Sequence, residues 1–377
     1  MAAVSPHVIS TVRRFLWQKS KMNFREHQVI EDIGQISKDW LTAALKLDEQ
    51  AVLKDFQIEC SEATNSQIAK LKVEYEPDVE MTLPQSFILK ICKNDDRFVK
   101  NSEVNYYAKD YTNLADPPIP VCFDAQYSEI SGNYHILMED LSETHEKDTS
   151  PTLEFSTAVA VALADLHTHG WGREKISAFG QNIPDKNKID IYINHIKKGI
   201  DPLLKEVLDE INPSWKAALL DIFKYHPEKM LERIKNPVGF AVVHGDVSPG
   251  NILYPKNGQD KVYLLDRQPF TWSLTVWLGV HDLAYMIVPF WQTDVRRDLE
   301  IQMLEKYHQQ LLKNGITYYN FEQLLYDYKL SAIQGVYVAA EWCISETDRK
   351  KMRRLWYSEL EKSLQTYFDL NCWELFQ

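Results

Sequence analysis

The chain has 377 residues, of which 45% are hydrophobic, and its formal net charge is −12 at pH 7. This size predicts a globular protein whose core is large enough for two lobes. The negative charge argues against a nucleic-acid partner, which would require clustered basic residues. Five scattered cysteines without a C-x-x-C pair indicate a reducing compartment rather than a disulfide framework or a zinc site. No apolar run approaches the roughly 18 residues of a membrane span, so we expect a cytoplasmic protein.

The first part of the chain predicts short helices and then strands. Residues 1–25 are basic and predict a packed N-terminal helix, with membrane contact as the alternative. A second helix is predicted over residues 37–45, with Ser37 as its cap. Strands follow at residues 52–59, 67–75 and 86–92, where β-branched or alternating apolar residues recur. The loop over residues 60–66 is polar and lacks glycine.

A lysine and a glutamate in this region match the pattern of a nucleotide-phosphate clamp. Lys90 follows an apolar run in the third strand, from which a lysine can reach the α- and β-phosphates of a nucleotide. Glu103 lies on the next predicted helix and is placed to orient this lysine. Lys93, Lys100 and Glu80 are rivals for these two positions, and an ordinary surface ion pair is the alternative interpretation.

Prolines at residues 117–120 end that helix, and two further strands are predicted over residues 121–126 and 134–138. From Thr152 a buried helix runs to His169, and Gly170 is a suitable residue to end it. His167 and His169 point apart on a helix, which favours a solvated or capping role over metal ligation.

The strongest motif begins where a short apolar strand, residues 239–243, ends at His244. Asp246 and Asn251 match the spacing of the phosphoryl-transfer loop H-x-D-x-x-x-x-N. In that loop the aspartate accepts the hydroxyl proton and the asparagine binds magnesium. A second apolar strand then delivers Asp266 as the other metal ligand, and oxygen donors of this kind suit magnesium. A polar turn without catalytic function is the alternative.

Three motifs resemble the aminoglycoside phosphotransferase and choline kinase superfamily, and most closely its ecdysteroid-kinase-like branch. They are His244-Gly245-Asp246 with Asn251, then Leu265-Asp266-Arg267-Gln268, and His281-Asp282-Leu283-Ala284-Tyr285. The resemblance extends from about Ser61 to the C-terminus. Arg267 departs from it, because relatives more often carry an apolar or aromatic residue there.

The resemblance implies an α+β, bilobal protein-kinase-like fold with a small β-rich N-lobe and a mainly helical C-lobe. Residues 1–137 would bind the nucleotide, and residues 138–377 would carry catalysis and acceptor binding. Asp282 is implied as a support for the catalytic-loop backbone. The implied nucleotide contacts are Thr64, Asn65 and Ser66 at the phosphates, and Glu139 and Leu141 at the adenine edge. An ordinary polar hairpin is the alternative for residues 64–66.

These motifs predict an ATP- and magnesium-dependent kinase that phosphorylates a hydroxyl group of a small-molecule metabolite. A lipophilic acceptor such as a steroid or terpenoid alcohol is favoured, because no dense acidic cluster is visible after Asp266 to bind a polycation. A choline-like or aminoglycoside acceptor is the alternative, as is a nucleotide-binding pseudoenzyme. The short segment between Asp266 and Asp282 disfavours a protein kinase. The acceptor, the preference for ATP over GTP and the oligomeric state stay open.

Overall fold

A computed structural model describes residues 28–47, 52–62, 66–76, 84–93, 100–147, 150–258 and 261–377. The described residues form two compact units. Unit 1 contains those up to Glu146 together with Leu253–Thr271, and unit 2 contains those of Lys147–Ile252 and Trp272–Gln377. The expected boundary after residue 137 differs from this division, since residues 138–146 and the later segment both group with unit 1. The predicted helix over residues 1–25 lies outside the described residues.

Unit 1 is built on a five-stranded antiparallel sheet. A short helix, α1 (Lys38–Ala44), precedes it, and the Ser37 hydroxyl caps this helix by accepting the Trp40 N–H at 3.1 Å. The sheet order is β1-β2-β3-β5-β4. Its strands are β1 (Leu53–Glu62), β2 (Gln67–Tyr75), β3 (Ser86–Cys92), β4 (Cys122–Tyr127) and β5 (Tyr134–Glu139). β1 runs three residues further than predicted, which shortens the polar loop.

A short helix, α2 (Ser102–Asn105), follows β3 along the chain and continues as a π-helical turn over Tyr106–Asp110. The remaining strands are short and form two small sheets, β6-β8-β9 in unit 1 and β7-β10 in unit 2. In chain order they are β6 (His145–Glu146), β7 (Phe240–Val242), β8 (Ile252–Pro255), β9 (Tyr263–Leu264) and β10 (Val276–Leu278).

Unit 2 is mainly helical. Several of its helices start at a residue whose side chain accepts a backbone N–H, as at Thr152, Asp185 and Asn212. Its helices are α3 (Leu153–His169), α4 (Gly172–Ala178), α5 (Lys186–Val207), α6 (Pro213–Arg233), α7 (His281–Ile287), α8 (Thr293–Lys313), α9 (Phe321–Ile333), α10 (Gly335–Trp342), α11 (Glu346–Lys351) and α12 (Arg353–Asp369). Among the described residues, no helix combines the length and apolar character needed to cross a membrane.

Gly170 ends α3 as predicted, but for a different physical reason. Its φ is −107°, which is outside the left-handed region that favours glycine at helix ends. A Cβ at this position would lie 2.8 Å from the Val242 Cβ, so any side chain would clash with β7. The Gly170 carbonyl also accepts the Val242 N–H at 3.0 Å. Glycine is therefore required here by close packing of a helix end on a strand.

Candidate active site

Lys90 and Glu103 form a buried ion pair in unit 1. The Lys90 Nζ lies 2.8 Å from Glu103 Oε1 and 2.9 Å from Asp266 Oδ1. Burial alone would lower the pKa of Lys90, but the charges of Glu103 and Asp266 raise it, so the ammonium group stays charged. Burial raises the pKa of Glu103 to about 7 against the opposing effect of Lys90. Of the rivals, Lys93 and Lys100 are exposed, and residue 80 lies outside the described residues.

Asp266 has a backbone conformation that few non-glycine residues adopt, with a φ of +59°. Two buried tyrosines of the π-helical turn hold this segment. The Tyr107 hydroxyl accepts the Asp266 N–H at 3.1 Å, and the Tyr106 hydroxyl donates to the Leu264 carbonyl at 3.1 Å. Backbone strain of this kind is found mainly where the surrounding structure over-determines it, often at functional sites. Sequence motifs missed both tyrosines, since their partners lie more than 150 residues away.

Arg267, the departure from the family pattern, has a buried acidic partner. Its Nη1 lies 2.5 Å from Asp110 Oδ2, and the exposed fractions of the two side chains are 3% and 8%. Asp110 is the last residue of the π-helical turn. Asp110 thus neutralises the charge of Arg267 within unit 1.

The predicted phosphate loop lies in the β1–β2 hairpin, whose last pair is Glu62 with Gln67. Ser66 is half-buried and directly precedes β2. Residues Thr64 and Asn65 lie outside the described residues, so their contact with phosphate remains a proposal.

The predicted adenine-edge residues lie at the end of β5. The Glu139 N–H donates to the Val121 carbonyl at 2.9 Å, and Glu139 Oε1 accepts the Val121 N–H at 2.6 Å. The Leu141 carbonyl accepts the N–H groups of Thr144 and His145 at 3.0 and 2.9 Å. These groups are engaged within unit 1, so they are not the ones through which Glu139 and Leu141 would bind adenine.

The candidate catalytic loop lies in unit 2, after β7. Gly245 has a φ of +80°, which glycine adopts without strain, and it turns the chain toward Asp246. The two carboxylate oxygens of Asp246 accept from different donors. Oδ1 accepts the Tyr285 hydroxyl at 3.1 Å, and Oδ2 accepts the Asn251 Nδ2 at 3.1 Å. The same Asn251 nitrogen also donates to the Asp246 carbonyl at 2.9 Å.

Asp282 holds the backbone of this loop. Its Oδ2 accepts the His244 N–H at 2.7 Å, and its Oδ1 accepts the Gly245 N–H at 2.8 Å. His167 is buried, with Nε2 2.8 Å from Asp282 Oδ2 and Nδ1 2.7 Å from the Tyr307 hydroxyl. Burial would raise the pKa of Asp282, but the hydrogen bond from His167 and nearby histidines lower it to about 2. The predicted solvated or capping role of His167 is therefore wrong.

Glu341, from a distant part of the chain, interacts electrostatically with Asp246 and with a second glutamate, Glu359. Burial raises the pKa of Glu341, on α10, to about 8, and the charges of Asp246 and Glu359 add to the effect. Burial also raises the pKa of Glu359, on α12, to about 7, against the opposing charge of Lys362. Glu359 Oε2 is buried without a hydrogen-bond partner in the described part of the chain. An acidic group beside Asp246 thus exists, although the sequence showed no cluster after Asp266.

Comparisons with known proteins agree with the predicted fold. The model of the ecdysteroid kinase-like family matches residues 62–317. A comparison with curated proteins found no match.

Solved structures that resemble the chain include an ethanolamine kinase from Plasmodium vivax. It shares 13% identity, with 96% of this chain and 95% of that chain covered and a TM-score of 0.52. For a choline kinase from Cryptosporidium parvum the identity is 10%, both coverages are 98% and the TM-score is 0.52. For a spectinomycin phosphotransferase in complex with ADP and spectinomycin, the identity is 11% and the TM-score is 0.51. The match covers 90% of this chain and 99% of that chain. These likenesses confirm the predicted α+β, kinase-like fold.

Proposed function

The chain belongs to the ecdysteroid kinase-like family, and on that premise we propose that it transfers the γ-phosphoryl group of ATP to a hydroxyl group of a small molecule. The observation that carries the proposal is the geometry around Asp246. This carboxylate is bonded at both oxygens, and Asp282 holds the backbone that precedes it. An aspartate held in this way suits a group that must accept a proton in one defined orientation.

Each unit contributes residues with separate roles. In unit 1, Lys90 binds the α- and β-phosphates and Glu103 orients it. In unit 2, Asp246 accepts the proton of the acceptor hydroxyl. The acceptor oxygen forms a bond to the γ-phosphorus while the bond from that phosphorus to the β–γ bridging oxygen breaks, which yields ADP and a phosphate ester. The proton ends on the Asp246 carboxylate. In these assignments, residues of unit 1 bind the nucleotide and a residue of unit 2 accepts the proton.

Asn251 and Asp266 are the residues that would hold magnesium. The side chain of each offers an oxygen, and the chemistry fits, because magnesium prefers hard oxygen ligands and is usually bound through one or two carboxylates together with substrate phosphates. In Asn251 the amide nitrogen bonds to Asp246, which orients the amide and leaves its Oδ1 as the ligand atom. When bound, the ion would neutralise the charge of the transferring phosphoryl group.

The first test replaces the proposed base. We expect Asp246→Asn to bind ATP normally and to lose about 10²–10⁴-fold in turnover, because general-base and positioning roles belong to the transition state. Turnover is measured as label transferred from ATP to products of a metabolite extract. Asp201→Asn, at an exposed position on α5, is the matched control. Near-normal turnover in a stable Asp246→Asn variant would remove Asp246 from the mechanism.

Two classes of acceptor are supported, each by a different observation. A lipophilic alcohol such as a steroid or terpenoid is favoured by the sequence, and the name of the family refers to a steroid. A cationic amino alcohol is favoured by Glu341 and Glu359, because Glu341 interacts electrostatically with Asp246 and Glu359, and one oxygen of Glu359 has no hydrogen-bond partner among the described residues. A buried carboxylate usually requires a hydrogen-bonded or charged partner, which an ammonium group could provide.

The salt dependence of KM distinguishes these acceptor classes. A cationic acceptor should bind more weakly as ionic strength rises, and an uncharged one should hardly respond. Glu341→Gln should raise the KM of a cationic acceptor by about tenfold, the effect of roughly 1.4 kcal/mol, and leave that of a neutral alcohol unchanged. Glu361→Gln, at an exposed position of α12, is the control. If the KM of an amino alcohol changed neither with salt nor in the Glu341→Gln variant, the cationic class would be excluded.

A further inference from the structure

One face of the short helix α7 contacts the candidate catalytic loop at two levels. Asp282 accepts the N–H groups of His244 and Gly245, whereas Tyr285 donates to the Asp246 side chain. Residues three apart lie on the same face of a helix, so both contacts can come from one rigid element. α7 therefore holds both the backbone and the reactive side chain of the loop.

The bond from Tyr285 adds a constraint that Asn251 alone cannot supply. The terminal torsion of an aspartate side chain is broad, so a carboxylate held at one oxygen can rotate. Asn251 bonds Oδ2 of Asp246 and Tyr285 bonds Oδ1. Two donors at different oxygens fix the plane of the carboxylate.

The surroundings of Tyr285 keep its hydroxyl a donor. Burial raises its pKa well above the usual 10, and the charges of Asp246, Glu341 and Glu359 act in the same direction. The centre of the His281 ring, on the same helix, lies 6.4 Å from the centre of the Tyr285 ring. The raised pKa keeps the Tyr285 hydroxyl protonated, so it donates to Asp246 Oδ1.

We propose that Tyr285 is a positioning residue for phosphoryl transfer, and that its hydroxyl holds the Asp246 carboxylate in one orientation. This inference rests on the proposed function. In this role Tyr285 does not contact the nucleotide. Removing its hydroxyl should therefore lower the rate of the chemical step and leave nucleotide affinity unchanged.

Tyr285→Phe removes only the hydroxyl oxygen. Tyr328→Phe is a matched control, because Tyr328 is also buried in unit 2 and also donates to a carboxylate at 3.1 Å, that of Glu300. The rate of ADP formation from MgATP, with a metabolite extract as the source of acceptor, should fall about 10- to 100-fold in Tyr285→Phe. The MgATP concentration that gives half the maximal rate should change less than twofold, and Tyr328→Phe should match the wild type.

A second readout does not require turnover. The ¹³C resonance of the Asp246 carboxyl carbon is identified by its absence in Asp246→Asn. Its chemical shift at a fixed pH of 7 should differ between Tyr285→Phe and the wild type, since a hydrogen bond to Asp246 Oδ1 has been lost. In Tyr328→Phe the resonance should not move.

The outcomes separate the two proposals. An undiminished rate in a folded Tyr285→Phe variant of an active enzyme overturns the role of Tyr285 alone. If the wild type forms ADP no faster than Asp246→Asn, the proposed function fails and the role of Tyr285 in it fails too. A lower rate with an unchanged requirement for MgATP supports both.

Discussion

Glu341 lies within electrostatic range of both Asp246 and Glu359 in unit 2, and the surroundings of these three carboxyl groups are not equivalent. Tyr285 and Asn251 donate hydrogen bonds to Asp246. Burial instead raises the pKa of Glu341 to about 8 and that of Glu359 to about 7. At neutral pH, Glu341 therefore holds a proton most of the time. Carboxyl groups of the same unit thus differ in their surroundings, and burial favours the protonated form of the two glutamates.

The raised pKa of Glu341 makes a prediction for stability. Its ordinary value is 4.5 and its folded-state value is about 8, so between these pH values the folded state binds more protons than the unfolded state. The free energy of unfolding should therefore fall as pH rises through this window. Glu341→Gln removes this dependence, so the variant should gain stability relative to the wild type from pH 5 to pH 8, and the difference should then level off.

Urea unfolding at each pH measures this difference, with Glu361→Gln as the exposed control on α12. Parallel stability curves for the wild type and Glu341→Gln would contradict the assignment of the proton to Glu341.

At the scale of elements, the π-helical turn after α2 is the part of unit 1 that restrains Asp266. Tyr106, Tyr107 and Asp110 each bond to the segment around Asp266. π-Helical turns are rare and occur frequently at functional sites. Because α2 carries Glu103 and continues directly into this turn, a shift of α2 would break three contacts as well as the ion pair with Lys90.

The buried pair of Arg267 and Asp110 can be tested by its asymmetry. Removing one partner, as in Arg267→Met, leaves the other charge buried and should cost about 3–5 kcal/mol of unfolding free energy. Replacing both, as in Arg267→Met with Asp110→Leu, should recover most of that loss, because an apolar pair needs no compensating charge. Urea unfolding measures both effects.

Lys72→Met is the control for this pair, since Lys72 and Glu59 are 2.6 Å apart but more than half exposed, and such pairs contribute about 0–1 kcal/mol. If the double variant lost as much stability as the two single variants together, the two charges would not be coupled and the argument from desolvation would be wrong.

Local signals in the sequence predicted the regular elements better than the contacts between them. β2 and β3 have the predicted limits, and Ser37 caps α1, because alternation and capping act over a few residues. Lys90 lies beside Glu103 as the kinase pattern predicted. Tyr285, His167 and Glu341 could not be found in this way, since their contacts join positions far apart in the sequence.

At the scale of the whole molecule, the same limit applies to the two units. A break after residue 137 follows from the end of the strand pattern and from the resemblance to kinases. The return of Leu253–Thr271 to unit 1 depends on pairing such as that of His145 with Pro255, for which neither segment carries a local signal. A two-residue strand is too short for its residue pattern to be recognised.

The discontinuity of unit 1 has a consequence for how the protein is made. A ribosome releases the chain from its N-terminal end at roughly 5–20 residues per second, so Thr271 emerges on the order of 6–25 s after Glu146. During that interval the five-stranded sheet is already available, but Tyr106, Tyr107 and Asp110 have not yet met their partners. Unit 1 of the nascent protein therefore stays incomplete while much of unit 2 is being synthesised. We expect the chain to need a chaperone most at this stage.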